Sequence, residues 1–134
     1  MAITKNRGRQ SPLEAYVDIG FADLAGLSGT ATLAIDLPVG AQVIGGDLVV
    51  YTAFNSATSD VITVGDALTA NRYLASTSIA ATGRTALTVT GYQTLTTSNK
   101  INVTWTGVGT VPTAGSIRLR MSYIVNKRAA FTQG

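Results

Sequence analysis

Residues 116–125 read SIRLRMSYIV. Ile117, Leu119, Met121 and Tyr123 fall on one side of an extended chain, and Ser116, Arg118, Arg120 and Ser122 on the other. Successive side chains of a strand point to opposite faces. This strict period of two therefore specifies a strand with one face in a core and the other wet or covered by a partner. The same period returns along the chain. KINVTWT, residues 100–106, sets Ile101, Val103 and Trp105 against Asn102, Thr104 and Thr106. RTALTVT (84–90) aligns Leu87 with Val89, TATLAID (30–36) aligns Leu33 with Ile35, and AYVDIGF (15–21) aligns Val17, Ile19 and Phe21. DVITV (60–64) adds a further short run.

Two stretches read less simply. Residues 41–54, AQVIGGDLVVYTAF, are long for one strand, and Gly45-Gly46 falls in the middle. A glycine pair inside a strand pattern marks a turn, bulge or corner. The expectation here is a hairpin or a bent strand that crosses between sheets. ASTSIAAT, residues 75–82, fits either a short helix or a weak strand. Turn-forming residues separate the runs at 26–29, 38–40, 55–59, 82–83, 97–99 and 107–115. The chain thus reads as about seven to eight short strands with almost no helical period, which predicts an all-β sandwich or barrel. Eight strands in two sheets suit a jelly roll. The 134 residues make one domain. The expected organisation is a basic N-terminal arm over 1–12, a β-sandwich over 13–125 and a C-terminal arm over 126–134.

Charge is unevenly placed. Lys5, Arg7 and Arg9 lie within the first ten residues, and the rest of the chain balances seven basic residues against seven acidic ones. A neutral body argues against a broad phosphate-binding face. Three basic residues give only a weak, salt-sensitive hold on nucleic acid. The arm therefore reads first as a segment that docks on an acidic protein surface, then as a soluble tail, and last as a nucleic-acid contact. Charged residues make up only 13 % of the chain, about half the usual share. A surface so poor in charge is weakly protected against association, which points to lasting contact with other subunits.

Several chemistries drop out. The chain has no cysteine and no histidine, which removes disulfides, structural zinc and the Ser-His-Asp and Cys-His arrangements. The start, MAITKNRGRQ, lacks the apolar stretch of a signal peptide, and no apolar run nears the ~18 residues a membrane helix needs. A soluble protein used without crossing a membrane is expected. Asp60 and Asp66 are the nearest pair of carboxylates, but each stands at a turn, where aspartate caps its own backbone. Lys100 follows Ser98-Asn99 at a turn and reads as solvated. No phosphate loop and no calcium loop occurs. Trp105 shares a face with Ile101 and Val103 and reads as core rather than a sugar platform, whereas Tyr73 and Tyr92 stand at loop edges as surface candidates. No enzyme, no cofactor and no metal is expected.

Taken together, VITVGDALTANRYLA (61–75), SIRLRMSYIV (116–125) and FTQG (131–134), in a body rich in Thr, Ala and Gly, resemble the capsid decoration (cement) proteins of tailed bacteriophages. The resemblance implies a protein that binds the outside of an assembled capsid lattice. Its partners would be the major capsid protein and further copies of itself, as a homodimer or homotrimer. It implies a place on the capsid exterior of the virion after synthesis in the host cytoplasm, with no catalysis and no cofactor. The alternatives are another virion component, such as a tail, collar or fibre-base module, or a carbohydrate-binding or adhesion sandwich. In the first reading the loop 66–75 is a contact loop, because Arg72 and Tyr73 are residue types enriched at interface hot spots. The other expected contacts are Lys5, Arg7 and Arg9 in the first arm, and Lys127, Arg128 and Phe131 in the second. The competing reading tucks Tyr73 against the sandwich and leaves Arg72 solvated.

Overall fold

The computed structural model describes residues 12–125. They form eight strands: β1 (Leu13–Gly20), β2 (Ala31–Asp36), β3 (Ala41–Thr52), β4 (Ser59–Gly65), β5 (Leu74–Ser78), β6 (Gly83–Ala86), β7 (Lys100–Val108) and β8 (Ser116–Val125). A four-residue helix, α1 (Phe21–Leu24), follows β1. The strands make two four-stranded antiparallel sheets, in the orders β1-β8-β3-β6 and β2-β7-β4-β5. Each strand of the first half thus lies beside its counterpart counted back from the other end: first with eighth, second with seventh, third with sixth, fourth with fifth. This is a long double ribbon, folded at the β4–β5 loop and rolled into two layers, the jelly-roll arrangement.

The alternation read in the sequence is what the layers bury. Ile117, Leu119 and Met121 of β8 meet Ile101 and Val103 of β7, Leu48 and Val50 of β3, and Ile62 and Val64 of β4 in one core. Trp105 joins it and lies against Phe54, with ring centroids 6.5 Å apart. Each of these side chains gains roughly 1.5–3 kcal/mol from leaving water, before chain entropy is charged against it.

Two local expectations change, and one open reading resolves to the strand. Residues 41–52 form one strand that stays in one sheet, paired with β8 along its length and with β6 over its second half. Gly45-Gly46 makes a bulge, not a turn: the register slips between Val43 and Gly45 and leaves Ile44 unpaired and exposed. Gly46 has φ of +138°, and a Cβ there would overlap the Arg120 carbonyl of the neighbouring strand. The run at 84–90 is strand only to Ala86. After it the Leu87 N–H still bonds Gly46, but the Thr88 N–H bonds the Tyr73 carbonyl, so the chain is drawn off the sheet toward the β4–β5 loop. The open stretch at 75–82 is strand to Ser78 and contains no helix.

Antiparallel order sorts the connections to two ends. One end gathers the loops 37–40, 66–73 and 87–99, together with the points where the chain enters β1 and leaves β8, since Leu13 pairs with Tyr123 and Ala41 with Val125. The other end gathers 21–30, 53–58, 79–82 and 109–115.

Candidate functional site

The loop 66–73 is built around one carboxylate. Asp66 Oδ1 accepts the N–H groups of Leu68 and Thr69, both at 2.9 Å, which closes an aspartate turn. Its Oδ2 accepts Nε of Arg72 at 2.6 Å. Arg72 also donates from Nη2 to Thr69 Oγ1 at 3.2 Å, and its guanidinium lies 3.5 Å from the centre of the Tyr92 ring. The bond to Asp66 raises the pKa of Arg72 above its ordinary value. Arg72 is thus occupied on three sides within its own end of the molecule.

Tyr73 is a core residue, 1 % exposed. Its hydroxyl is buried with no hydrogen-bond partner among the described residues, and burial pushes its pKa up to about 12. Of the two residues singled out in this loop, then, one holds the loop's shape and the other fills the core beneath it. Tyr92, the other candidate at a loop edge, is half-buried, and its hydroxyl is 2.8 Å from Ser98 Oγ. What the loop presents to solvent is Ala67, Leu68, Ala70 and Asn71. Lys5, Arg7, Arg9, Lys127, Arg128 and Phe131 lie outside the described residues.

Hydrogen bonds join the three loops of this end. Ser98 Oγ also accepts from Leu95 N at 2.9 Å. Thr94 Oγ1 accepts from Ala41 N at 3.0 Å and donates to the Pro38 carbonyl at 2.7 Å. Asn99 Nδ2 donates to the Leu37 carbonyl at 2.9 Å.

The outer face of the β1-β8-β3-β6 sheet carries a second ordered group that sequence reasoning did not single out. Arg118 grips Asp18 with two bonds, 2.7 and 3.1 Å, and lies against the exposed rings of Tyr16 and Tyr51, 4.7 and 5.7 Å from their centres. Arg120 bonds Glu14 at 2.7 Å and Asp47 at 3.2 Å, and Asp47 bonds Arg84 at 2.7 Å. The hydrogen bond from Arg118 holds the Asp18 carboxyl below the usual carboxylate range. At Asp47 burial pushes the pKa up, but the two guanidinium groups outweigh it and hold the carboxyl low. The face alternates acidic, basic, acidic, basic across its four strands and is neutral as a whole.

Every basic side chain in the described residues is ion-paired: Arg72, Arg84, Lys100, Arg118 and Arg120. Residues 12–125 hold those five basic groups against seven acidic ones, and the positive excess of the chain belongs to the five basic residues at 5–9 and 127–128. Shallow clefts lie among the described residues. One of about 270 Å³ lies between the edges of β1 and β2, lined by Val17, Ile19, Leu24, Leu33 and Asp23 among others. Another, of about 300 Å³, lies beside Asp18, Tyr51 and Arg118, and both stand at or below the lower end of the roughly 300–1,000 Å³ usual for small-molecule pockets.

No protein-family model and no curated protein matches the sequence. Solved structures share the fold. The chain is similar to one in the capsid asymmetric unit of cyanophage Pam1, with a TM-score of 0.74 and 21 % identity over 93 % of each chain. It is similar to a chain in the acid-stable capsid of Helicobacter pylori bacteriophage KHP30, with a TM-score of 0.62 and 21 % identity over 85 % of this chain and 87 % of that one. A third, in the capsid of Ralstonia phage GP4, has a TM-score of 0.55 and 15 % identity over 93 % and 92 %. At these identities the likeness is one of fold.

Proposed function

We propose that the chain is a virion structural protein of a phage, a decoration protein that binds the outer surface of the assembled head and stabilises it. The observation that carries this reading is the cyanophage capsid comparison, because the likeness spans 93 % of this chain and 93 % of that one. The major capsid protein is the partner, with further copies of the chain beside it. No catalytic step and no cofactor enters the role.

The mechanism is differential affinity. A protein that binds the assembled shell, and not its disrupted state, lowers the free energy of the shell alone. At concentrations of about a hundred times Kd the gain is about 2.7 kcal/mol per site, and a lattice repeats it at every site. A rigid sandwich loses little conformational entropy when it binds, so little of the contact energy is consumed by ordering.

The test adds purified protein to empty expanded shells assembled from the major capsid protein of the same phage, then heats them. The expected result is co-sedimentation with the shells and a higher rupture temperature. An unchanged rupture temperature with no bound protein would remove the reading. Electron microscopy that put the added density on a tail would replace it with the tail-module alternative.

A further inference from the structure

We propose that the end of the sandwich made by residues 37–40, 66–73 and 87–99 is the surface that seats on the shell, and that it fits a protein surface with an apolar centre bordered by carboxylates. The proposal rests on the decoration reading and names the face that reading leaves open.

Two observations meet at this end. The first is apolar. Val39, Leu68 and Leu95 stand 51 %, 58 % and 53 % exposed, one on each loop. They are fixed by one continuous set of bonds. Val39 sits between Pro38 and Gly40, which bond Thr94. Leu95 follows Thr94 and bonds Ser98, which meets Tyr92. Tyr92 underlies Arg72, whose bond to Asp66 closes the turn that carries Leu68. Apolar side chains held open on a bonded framework need no ordering before they bind.

The second observation is charge. The chain enters β1 and leaves β8 at this end. Residues 1–11 and 126–134 carry Lys5, Arg7, Arg9, Lys127 and Arg128, with no acidic residue among them. Eleven residues reach up to roughly 35 Å, and nine somewhat less. Every described basic group is already paired, and the two segments that continue from this end carry five further basic residues. The two rival surfaces lack one half of this pairing. The opposite end exposes Val108 and Val111, but neither flanking segment leaves from it. The outer face of the β1-β8-β3-β6 sheet has Tyr16 and Tyr51, but its arginines are neutralised within the face.

The test measures sedimentation binding to the same expanded shells at low and high salt. It uses the wild type, the triple variant Val39→Asp/Leu68→Asp/Leu95→Asp, and Val111→Asp as a control on the opposite end. Thermal unfolding of each checks that all are folded. The triple variant is expected to lose affinity by about tenfold or more, the control to stay within about twofold, and wild-type affinity to fall as salt rises. Triple-variant binding equal to wild type, or loss in the control alone, overturns the proposal and leaves the decoration reading standing. Wild-type protein held as tightly by plain duplex DNA as by shells overturns it in favour of a nucleic-acid surface. Wild-type protein that ignores the shells fails the decoration reading, and the proposal falls with it.

Discussion

The two ends of the sandwich are each organised around one buried aspartate, and the two aspartates hold different things. At the end away from the flanking segments, Asp60 takes the indole N–H of Trp105 at 2.9 Å, the Ser56 N–H at 2.9 Å and the Ser56 hydroxyl at 2.7 Å. It ties a loop to the largest side chain of the core. Asn55 reaches across to Thr113 and Ala114, and Gly115, at φ of +148°, lets the β7–β8 loop lie on the face of Phe54, where any Cβ would collide. At the other end Asp66 ties a loop to itself and to an arginine that still touches water. The first end is fastened inward, to the core. The second is fastened sideways, loop to loop, and keeps Val39, Leu68 and Leu95 facing out. Burial decides which is structural support and which is presentation.

The largest expected effect is at the core-fastened end. Asp60→Ala strands the Trp105 indole N–H inside the sandwich and frees the Ser56 loop, so it should cost about 3 kcal/mol. In a chain of this size that lowers the unfolding midpoint by roughly 10 °C, read by circular dichroism on heating. Asp60→Asn keeps an acceptor for one donor and should lose about half as much. Asp66→Ala comes next, at about 1–2 kcal/mol. Its backbone donors belong to a loop with exposed neighbours and can turn to water, and Arg72 keeps its place over Tyr92. Equal losses at the two sites would break the contrast between the ends. A sharper version compares shell binding at a temperature where both variants are folded: Asp66→Ala should weaken it, and Asp60→Ala should not.

Much of this was legible in the residues. The alternation at 116–125 and 100–106 placed one inner strand of each sheet and the face each buries, because a one-residue slip would turn the whole apolar set to water. Trp105 was readable as core for the same reason. The aspartate turn at 66 was readable because a side-chain oxygen two or three residues before free N–H groups is a local geometry. Long-range pairing was harder to read. Arg118 and Arg120 alternate on one strand while Glu14, Tyr16 and Asp18 alternate on another, and the registers Asp18 with Arg118 and Glu14 with Ser122 lock them into one face. Opposite charges at matched alternation on two predicted strands were the available signal. Tyr73 was misplaced for a specific reason. Its neighbours Ala70, Asn71 and Arg72 look like a loop, but the Tyr73 N–H already bonds Val64 and the chain turns inward one residue before β5 begins. Gly45-Gly46 misled similarly, since a bulge and a hairpin use the same residues and only the partner strand separates them.

Tyr73 supplies the smallest effect, with an informative sign. Its hydroxyl is buried without a partner among the described residues, so Tyr73→Phe removes a desolvated polar group and leaves the ring's packing in place. At pH 7 the variant should be as stable as the wild type or more stable by up to about 1 kcal/mol. Alkali then separates the two. Burial raises the folded-state pKa to about 12, above the usual tyrosine value of about 10. The neutral phenol is the form the fold favours, so its contribution is fully present below pH 10 and is lost as the pH climbs toward 12. The variant has no such group. Its advantage should therefore widen between pH 10 and 12, by an amount on the order of 2 kcal/mol, as read by urea unfolding at each pH. A variant clearly less stable at pH 7 would mean that the hydroxyl makes a stabilising bond. Unchanged stability with weakened shell binding would move Tyr73 from the core to the contact surface, and the inward turn of the chain at this residue would have to be redrawn.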